Sequence, residues 1–326
     1  MSTHRSHRLA QLAWLIAFWL IVAAALVNQQ RILDWWKLRG YSPSPAVASL
    51  VREDTMTSYA EHLFYVNKPD ITSGSNFTSH CPLGSEKTIV LGCYRSSDNG
   101  IFIYDVTDPR LDGVIQVTAA HEMLHAAYAR LSSSERNRVD AMLKDYYEHS
   151  LTDQRIIDTM NAYKQSEPTE LYNEMHSVFG TEVANLPADL EAYYTQYFTD
   201  RAKVTSYAAS YESEFTSRRD QVTQYDAQLA SLKQTIDANE ATLATQQADL
   251  AAQMAVISSL NSTDTATYNA QVRSYNRAVD AYNALRRQTQ DDINTYNALV
   301  DKRNALVLEE QQLMQSLSPQ SLPAAK

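Results

Sequence analysis

The chain has 326 residues, with 28 Lys and Arg against 38 Asp and Glu, and a formal charge of −10. That balance lacks the basic field of a nucleic-acid binder, and a hydrophobic fraction of 44% excludes wholesale disorder. All seven glycines lie in the first 180 residues, and residues 188–318 contain neither Gly nor Pro, so a turn-bearing half precedes a long helical half.

After eight residues read as a cytoplasmic amino terminus comes Leu9–Val27, a 19-residue apolar run broken only by Gln11. It is long enough to cross a bilayer as a helix, so residues 9–27 are read as a transmembrane signal anchor and 28–45 as a juxtamembrane linker. A cleaved signal peptide has a shorter apolar core, roughly 7–15 residues, and would leave a secreted protein as the alternative. Arg5 and Arg8 before the run nearly balance Arg31, Lys37 and Arg39 after it, so flanking charge does not set the orientation. Cys81 and Cys93, the only cysteines, are flanked by Pro82, Gly84 and Gly92. They fit a disulfide closing a small loop, which persists outside the reducing cytosol; two unrelated buried thiols are the other reading. The expectation is a single-pass protein with its amino terminus inside and its body extracytoplasmic.

Residues 46–186 read as one compact α+β domain with a small antiparallel hairpin or sheet. Ala46–Val66 has helical spacing at Val47, Leu50, Val51 and Leu63. Thr88–Tyr94 and Ile101–Val106 read as strands joined at Asn99-Gly100, a strong hairpin signal. Helices are expected over Val114–Arg130, then through Tyr147 behind a Ser132/Glu135 capping box, then over Thr152–Tyr163 and Thr169–Phe179, with Gly180 as the last stop.

The helix from Val114 contains His121-Glu122-Met123-Leu124-His125. Histidines four apart project from one helix face and can share a metal ion, and a glutamate between them can take a proton from metal-bound water. Neutral imidazoles suit zinc, so one Zn²⁺ per chain is expected. Val117, Leu124 and Leu131 would bury, and Ala119, Ala120, Ala126 and Ala127 would let neighbouring backbone come close. A third protein ligand is missing from this helix.

HEMLH followed by Asn173-Glu174-Met175-His176-Ser177 resembles the gluzincin, or thermolysin-type, zinc metallopeptidases. The resemblance implies a zincin-like domain in which His121, His125 and Glu174 hold zinc and Glu122 is the general base. His176, Glu170 and Glu182 compete as third ligand. It also implies that Ile101, Phe102, Ile103 and Tyr104 form the strand bordering the cleft, where an extended peptide pairs. A His or Tyr would stabilise the oxyanion; His149, His176 and many tyrosines leave that choice open. The gap from His125 to Glu174 is longer than usual in the family, and Val178 stands where an acidic residue often follows the motif.

From Pro187 a helix is expected to run to about Leu260. Val222, Leu229, Ile236, Leu243, Leu250 and Ile257 recur every seven residues, with Tyr225, Leu232 and Asn239 on the companion seam. After a turn near 261–265 a second register carries Tyr268, Tyr275, Tyr282 and Tyr296, each followed by Asn. Residues 187–317 therefore read as an antiparallel coiled-coil hairpin, and 318–326 as a disordered tail. Together these features point to a membrane-anchored, extracytoplasmic zinc metalloendopeptidase acting on a peptide or protein at the cell envelope. The alternative is an adaptor whose zinc domain is non-catalytic or partner-activated and whose coiled-coil arm scaffolds an envelope complex. A coiled-coil partner or a homodimer fits either reading.

Overall fold

A computed structural model describes residues 3–82, 90–96, 100–260 and 265–319, with side chains from Trp14 onward. The first helices are α1 (Thr3–Val27), α2 (Gln29–Leu38), α3 (Pro45–Glu53) and α4 (Ser58–Val66). Strand β1 (Asp70–Thr72), helix α5 (Gly74–His80) and strands β2 (Gly92–Arg95) and β3 (Gly100–Tyr104) follow. Then come α6 (Val114–Tyr128), α7 (Ser133–His149), α8 (Gln154–Ser166), α9 (Leu171–Glu182) and α10 (Ala188–Tyr194). Two long helices, α11 (Arg201–Ser259) and α12 (Thr265–Ser316), complete the described chain. Among the described residues the protein is thus mostly helical, with one small mixed sheet.

The chain divides into two units. One runs up to Tyr211 and takes the chain up again at Gln315; the other is Glu212–Met314. The core of the first unit gathers α3, α4, β3, α7, α8, α9 and α10 around α6, where Ala119, Ala120, Met123, Leu124 and Ala126 are fully buried. The carboxyl-terminal return is fastened by Tyr104 Oη, which donates to the Ser318 carbonyl at 3.2 Å, and by Ser316 Oγ on Asp108 at 3.2 Å. Arg110 holds Asp108 far into its ionised form, with a pKa lowered to about 2, and the Asp108 carboxylate caps the short turn leading into α6. Residues 320–326, most of the expected tail, and the turn at 261–264 lie outside the described residues.

The sheet order is β1-β3-β2, with β1 parallel and β2 antiparallel to β3. The β2–β3 pairing fits the expected hairpin, although its turn at 97–99 is outside the described residues. β3 is paired on both sides, which corrects the expectation that Ile101, Phe102, Ile103 and Tyr104 border an open cleft. The strand that encloses it, β1, is three residues long, too short to show alternation in the sequence. Cys81 and Cys93 are joined by a disulfide, with Cα atoms 5.8 Å apart, so the end of α5 is stapled to β2.

Several helix boundaries move for tertiary reasons. The expected Ala46–Val66 helix is broken between α3 and α4, where Thr55 adopts φ +52° and Met56 bridges Phe198. The helix expected from Pro187 is broken at the same crossing: Thr57 N–H donates to the Tyr197 carbonyl and Thr199 N–H to that of Thr55. Gly180 lies inside α9 instead of ending it. A Cβ there would stand 2.5 Å from Leu124 Cδ1 and 2.8 Å from Tyr194 Cε1, so glycine is what lets α9 approach α6. The Ser132/Glu135 capping box is present as expected at the start of α7.

Among the described residues no single helix is long and apolar enough to cross a membrane. Trp14–Val27 and Gln29–Leu38 meet that test only together, across a 64° bend.

In the second unit, the helix segments pair antiparallel: Arg218 with Glu309, Asp226 with Arg303, and Asn239 with Asp292. Val222, Leu229, Ile236, Leu243 and Leu250 are the less exposed positions of the α11 segment, and Ile257 is buried. The seven-residue register of the sequence is therefore the packing seam. Leu190, Tyr193, Tyr194, Phe198 and Val204, expected within that hairpin, are instead core residues of the first unit.

Candidate metal centre

Helix α6 starts at Gly113, whose φ of +100° is open to glycine and strained for other residues. Twelve of its residues, Glu122 and His125 among them, are buried. Such a helix can carry histidines only if their ring nitrogens find partners. Those partners come from α9, which packs against it.

His121, His125 and Glu174 converge so that one ligand atom from each lies within 4.8 Å of the others. His121 Nε2 stands 2.9 Å from His125 Nε2, His125 Nε2 is 3.5 Å from Glu174 Oε1, and His121 Nε2 is 3.7 Å from Glu174 Oε2. Nitrogen and oxygen ligands on a tetrahedral ion at about 2.0–2.1 Å are about 3.3 Å apart, so the three separations bracket the required value. Glu174 Oε2 is buried without a hydrogen-bond partner. An orphaned carboxylate oxygen facing two imidazoles is the electrostatic signature of a cation site. These residues could hold a metal ion.

Burial opposes ionisation of Glu174, but the facing His125 and His121 and a hydrogen bond from Tyr163 outweigh it and lower its pKa. His125 Nδ1 lies 2.9 Å from Asn173 Oδ1 and 3.2 Å from Ser177 Oγ. Asn173 in turn donates from Nδ2 to Glu170 Oε2 at 3.1 Å, which fixes its amide so that Oδ1 accepts from the histidine. This contact selects the His125 tautomer with the proton on Nδ1 and the Nε2 lone pair turned to the cluster. The partner that a carboxylate at Val178 would have supplied is thus Asn173, with Ser177 beside it. Both lie in the NEMHS segment, one turn apart on α9, and that spacing was the available signal.

The other expected ligands lie elsewhere. His176 is fully buried, its Nε2 2.8 Å from Tyr193 Oη, and its ring packs among Tyr128, Tyr193, Tyr194 and Tyr197. Burial, followed by the nearby His125 and His121, lowers its pKa to about 3, so it is neutral. Glu182 pairs with Arg155 at 2.6 Å, and Glu170 is engaged by Asn173. His149, on the exposed end of α7, pairs with Asp145. Tyr163 of α8, unremarked in the sequence, is the phenol that reaches the cluster.

Glu122 is buried beneath β2. A Cβ on Gly92 would stand 2.6 Å from Thr118 Cγ2, 2.7 Å from Glu122 Oε1 and 2.8 Å from Glu122 Cγ. The sheet edge and the carboxylate are therefore packed to backbone contact, and Gly92 is the residue that permits it.

The carboxyl end of α9 is closed by Arg201, the first residue of α11. Its guanidinium is buried, donates to the carbonyls of Val183 at 2.6 Å and Ala184 at 3.0 Å, and pairs with Glu191. The end of α9 is thus held in place.

Compared with known proteins, the chain matches no family model, no curated protein and no solved structure.

Proposed function

We propose that this protein is a membrane-anchored, extracytoplasmic zinc metallopeptidase with a zincin-like catalytic unit. The observation that carries the reading is the His121–His125–Glu174 cluster with its orphaned carboxylate oxygen, next to the buried Glu122. Two neutral imidazoles and one carboxylate form a donor set suited to zinc with one position left for water or substrate. Bound there, zinc would make water acidic enough to ionise near neutrality and would polarise the substrate carbonyl.

The chain's residues divide the remaining work. Asn173 and Ser177 orient His125, and Tyr163 supports Glu174. Glu122 accepts the proton of the attacking water and delivers it to the amine as the C–N bond breaks. An extended peptide would align along β2, the sheet edge packed on Glu122; among the described residues no strand pairs with its outer side. The apolar run ending α1 would anchor the chain, and the disulfide accords with an oxidising exterior.

The test is metal stoichiometry and peptide hydrolysis on the full chain. One zinc per wild-type chain is expected, lost in His121→Ala and Glu174→Ala. Glu122→Gln should keep zinc and lose at least a hundredfold in kcat. Wild type that binds zinc without cleaving any peptide library would favour the adaptor reading, and wild type without zinc would end both.

A further inference from the structure

We infer that α2 is a bilayer-surface helix, which seats the catalytic unit on the membrane through Trp35 and Trp36. This inference rests on the membrane reading of α1 and goes beyond it, because it assigns the following helix a lipid-facing role of its own.

Three features of the structure carry it. The first is the bend. Asn28 separates α1 from α2, which turn by 64°, and its side-chain amide donates to the Ala24 carbonyl at 2.8 Å, closing the end of α1. A helix leaving a bilayer at such an angle runs more nearly along the surface than away from it.

The second feature is the sidedness of α2. Ile32, Leu33, Trp35 and Trp36 are 44–60% exposed and fall on one side of the helix. Asp34 points the opposite way and is 3% exposed. It receives two hydrogen bonds from Arg130, at 2.7 and 2.9 Å, one from Gln30 at 3.0 Å, and lies 3.0 Å from His62 Nε2. Its charge is thereby matched inside the protein, and the apolar side is left turned outward. The helix before it, α1, is exposed all round, with Leu15, Ile16, Phe18, Trp19, Leu26 and Val27 all more than half exposed.

The third feature is the chemistry of that face. Indole rings favour the headgroup level of a bilayer, where the ring is apolar and its N–H remains wet. The Arg39 guanidinium sits 5.5 and 5.7 Å from the centres of the two indoles, where it can reach lipid phosphate. A second protein could cover an apolar face as well, but the all-round apolar exposure of the adjoining α1 and the indole–arginine grouping favour lipid.

The Asp34–Arg130 contact then gives the site a fixed relation to the membrane. Arg130 follows the last turn of α6, so the helix that carries His121 and His125 is fastened to α2 by a partly buried bidentate ion pair.

All four tryptophans of the chain are Trp14, Trp19, Trp35 and Trp36, so tryptophan emission reports on α1 and α2 alone. The full chain would be reconstituted into phosphatidylcholine–phosphatidylglycerol vesicles carrying bromine either high or deep on the lipid tails. In Trp14→Phe/Trp19→Phe protein, we expect the remaining emission to be quenched at least twofold more by high bromine than by deep bromine. Trp35→Phe/Trp36→Phe protein reports on the anchor separately. Absence of quenching at Trp35 and Trp36, with Trp14 and Trp19 quenched, overturns the surface helix and leaves the anchor intact. Stronger quenching by deep bromine makes α2 part of a broken span and also overturns it. Absence of quenching in both proteins removes the membrane reading together with this inference.

Discussion

Asn173 and Ser177 bear on the proposed metal site without belonging to its ligand cluster. Both lie within hydrogen-bonding distance of the nitrogen of His125 that faces away from the cluster. Removing them frees the ring to rotate and to take the other tautomer. Asn173→Ala/Ser177→Ala should weaken zinc binding about 10–100-fold, read by competition with a chromogenic chelator. Unchanged affinity would mean that packing alone holds the ring. Gly92 makes the opposite kind of prediction. In Gly92→Ala the new methyl meets Thr118 Cγ2, which belongs to a buried helix and cannot withdraw, so β2 or Glu122 must shift. On the proposed mechanism, zinc stoichiometry should stay at one while kcat falls at least tenfold, because the displaced group would be the base and not a ligand. A parallel loss of metal would show that β2 positions the cluster as well.

At the scale of elements, α6 and α9 were legible because each carries its own signal. The HEMLH spacing, the capping box behind it and the NEMHS segment are local patterns, and the heptads of α11 reappear as its packing seam. What was not legible is made by distant residues. No glycine or proline marks the breaks at Thr55 and Phe198; the two breaks exist because those segments pair with each other. β1 escaped notice for the same reason, since three residues become a strand only by pairing with β3. Gly180 was visible, but its part in helix packing depends on Leu124 and Tyr194, far away in sequence. Arg201 belongs with these long-range devices. Truncating it leaves the carbonyls of Val183 and Ala184 buried without donors, so Arg201→Ala should cost about 2–4 kcal/mol in urea unfolding. Arg201→Lys should recover only part of that, because an ammonium cannot reach both carbonyls and Glu191 with one planar fork. A loss under about 0.5 kcal/mol would show that water replaces the guanidinium.

At the scale of the whole molecule, the first unit holds the cluster, the sheet and the stapled loop, and the second is a two-helix hairpin with its own seam. The disulfide has a consequence for when the first unit becomes functional. Gly92 packs on Glu122, and the next residue, Cys93, carries the bond to Cys81. A crosslink over this short a loop removes about 3 kcal/mol of unfolded-chain entropy. Without it, β2 keeps its backbone pairing with β3 and the Arg95 hydrogen bond to the His80 carbonyl but loses its covalent tie to the end of α5. A freshly made, reduced chain would therefore bind metal on α6 and α9 yet lack a firm wall behind its base. On the proposed function, oxidation would then serve as a maturation step, and the reduced chain would stay latent until it has left the compartment of its synthesis. Mild reduction of the folded protein should lower hydrolysis while zinc is retained, and reoxidation should restore it; equal turnover by both forms would show that latency has another origin.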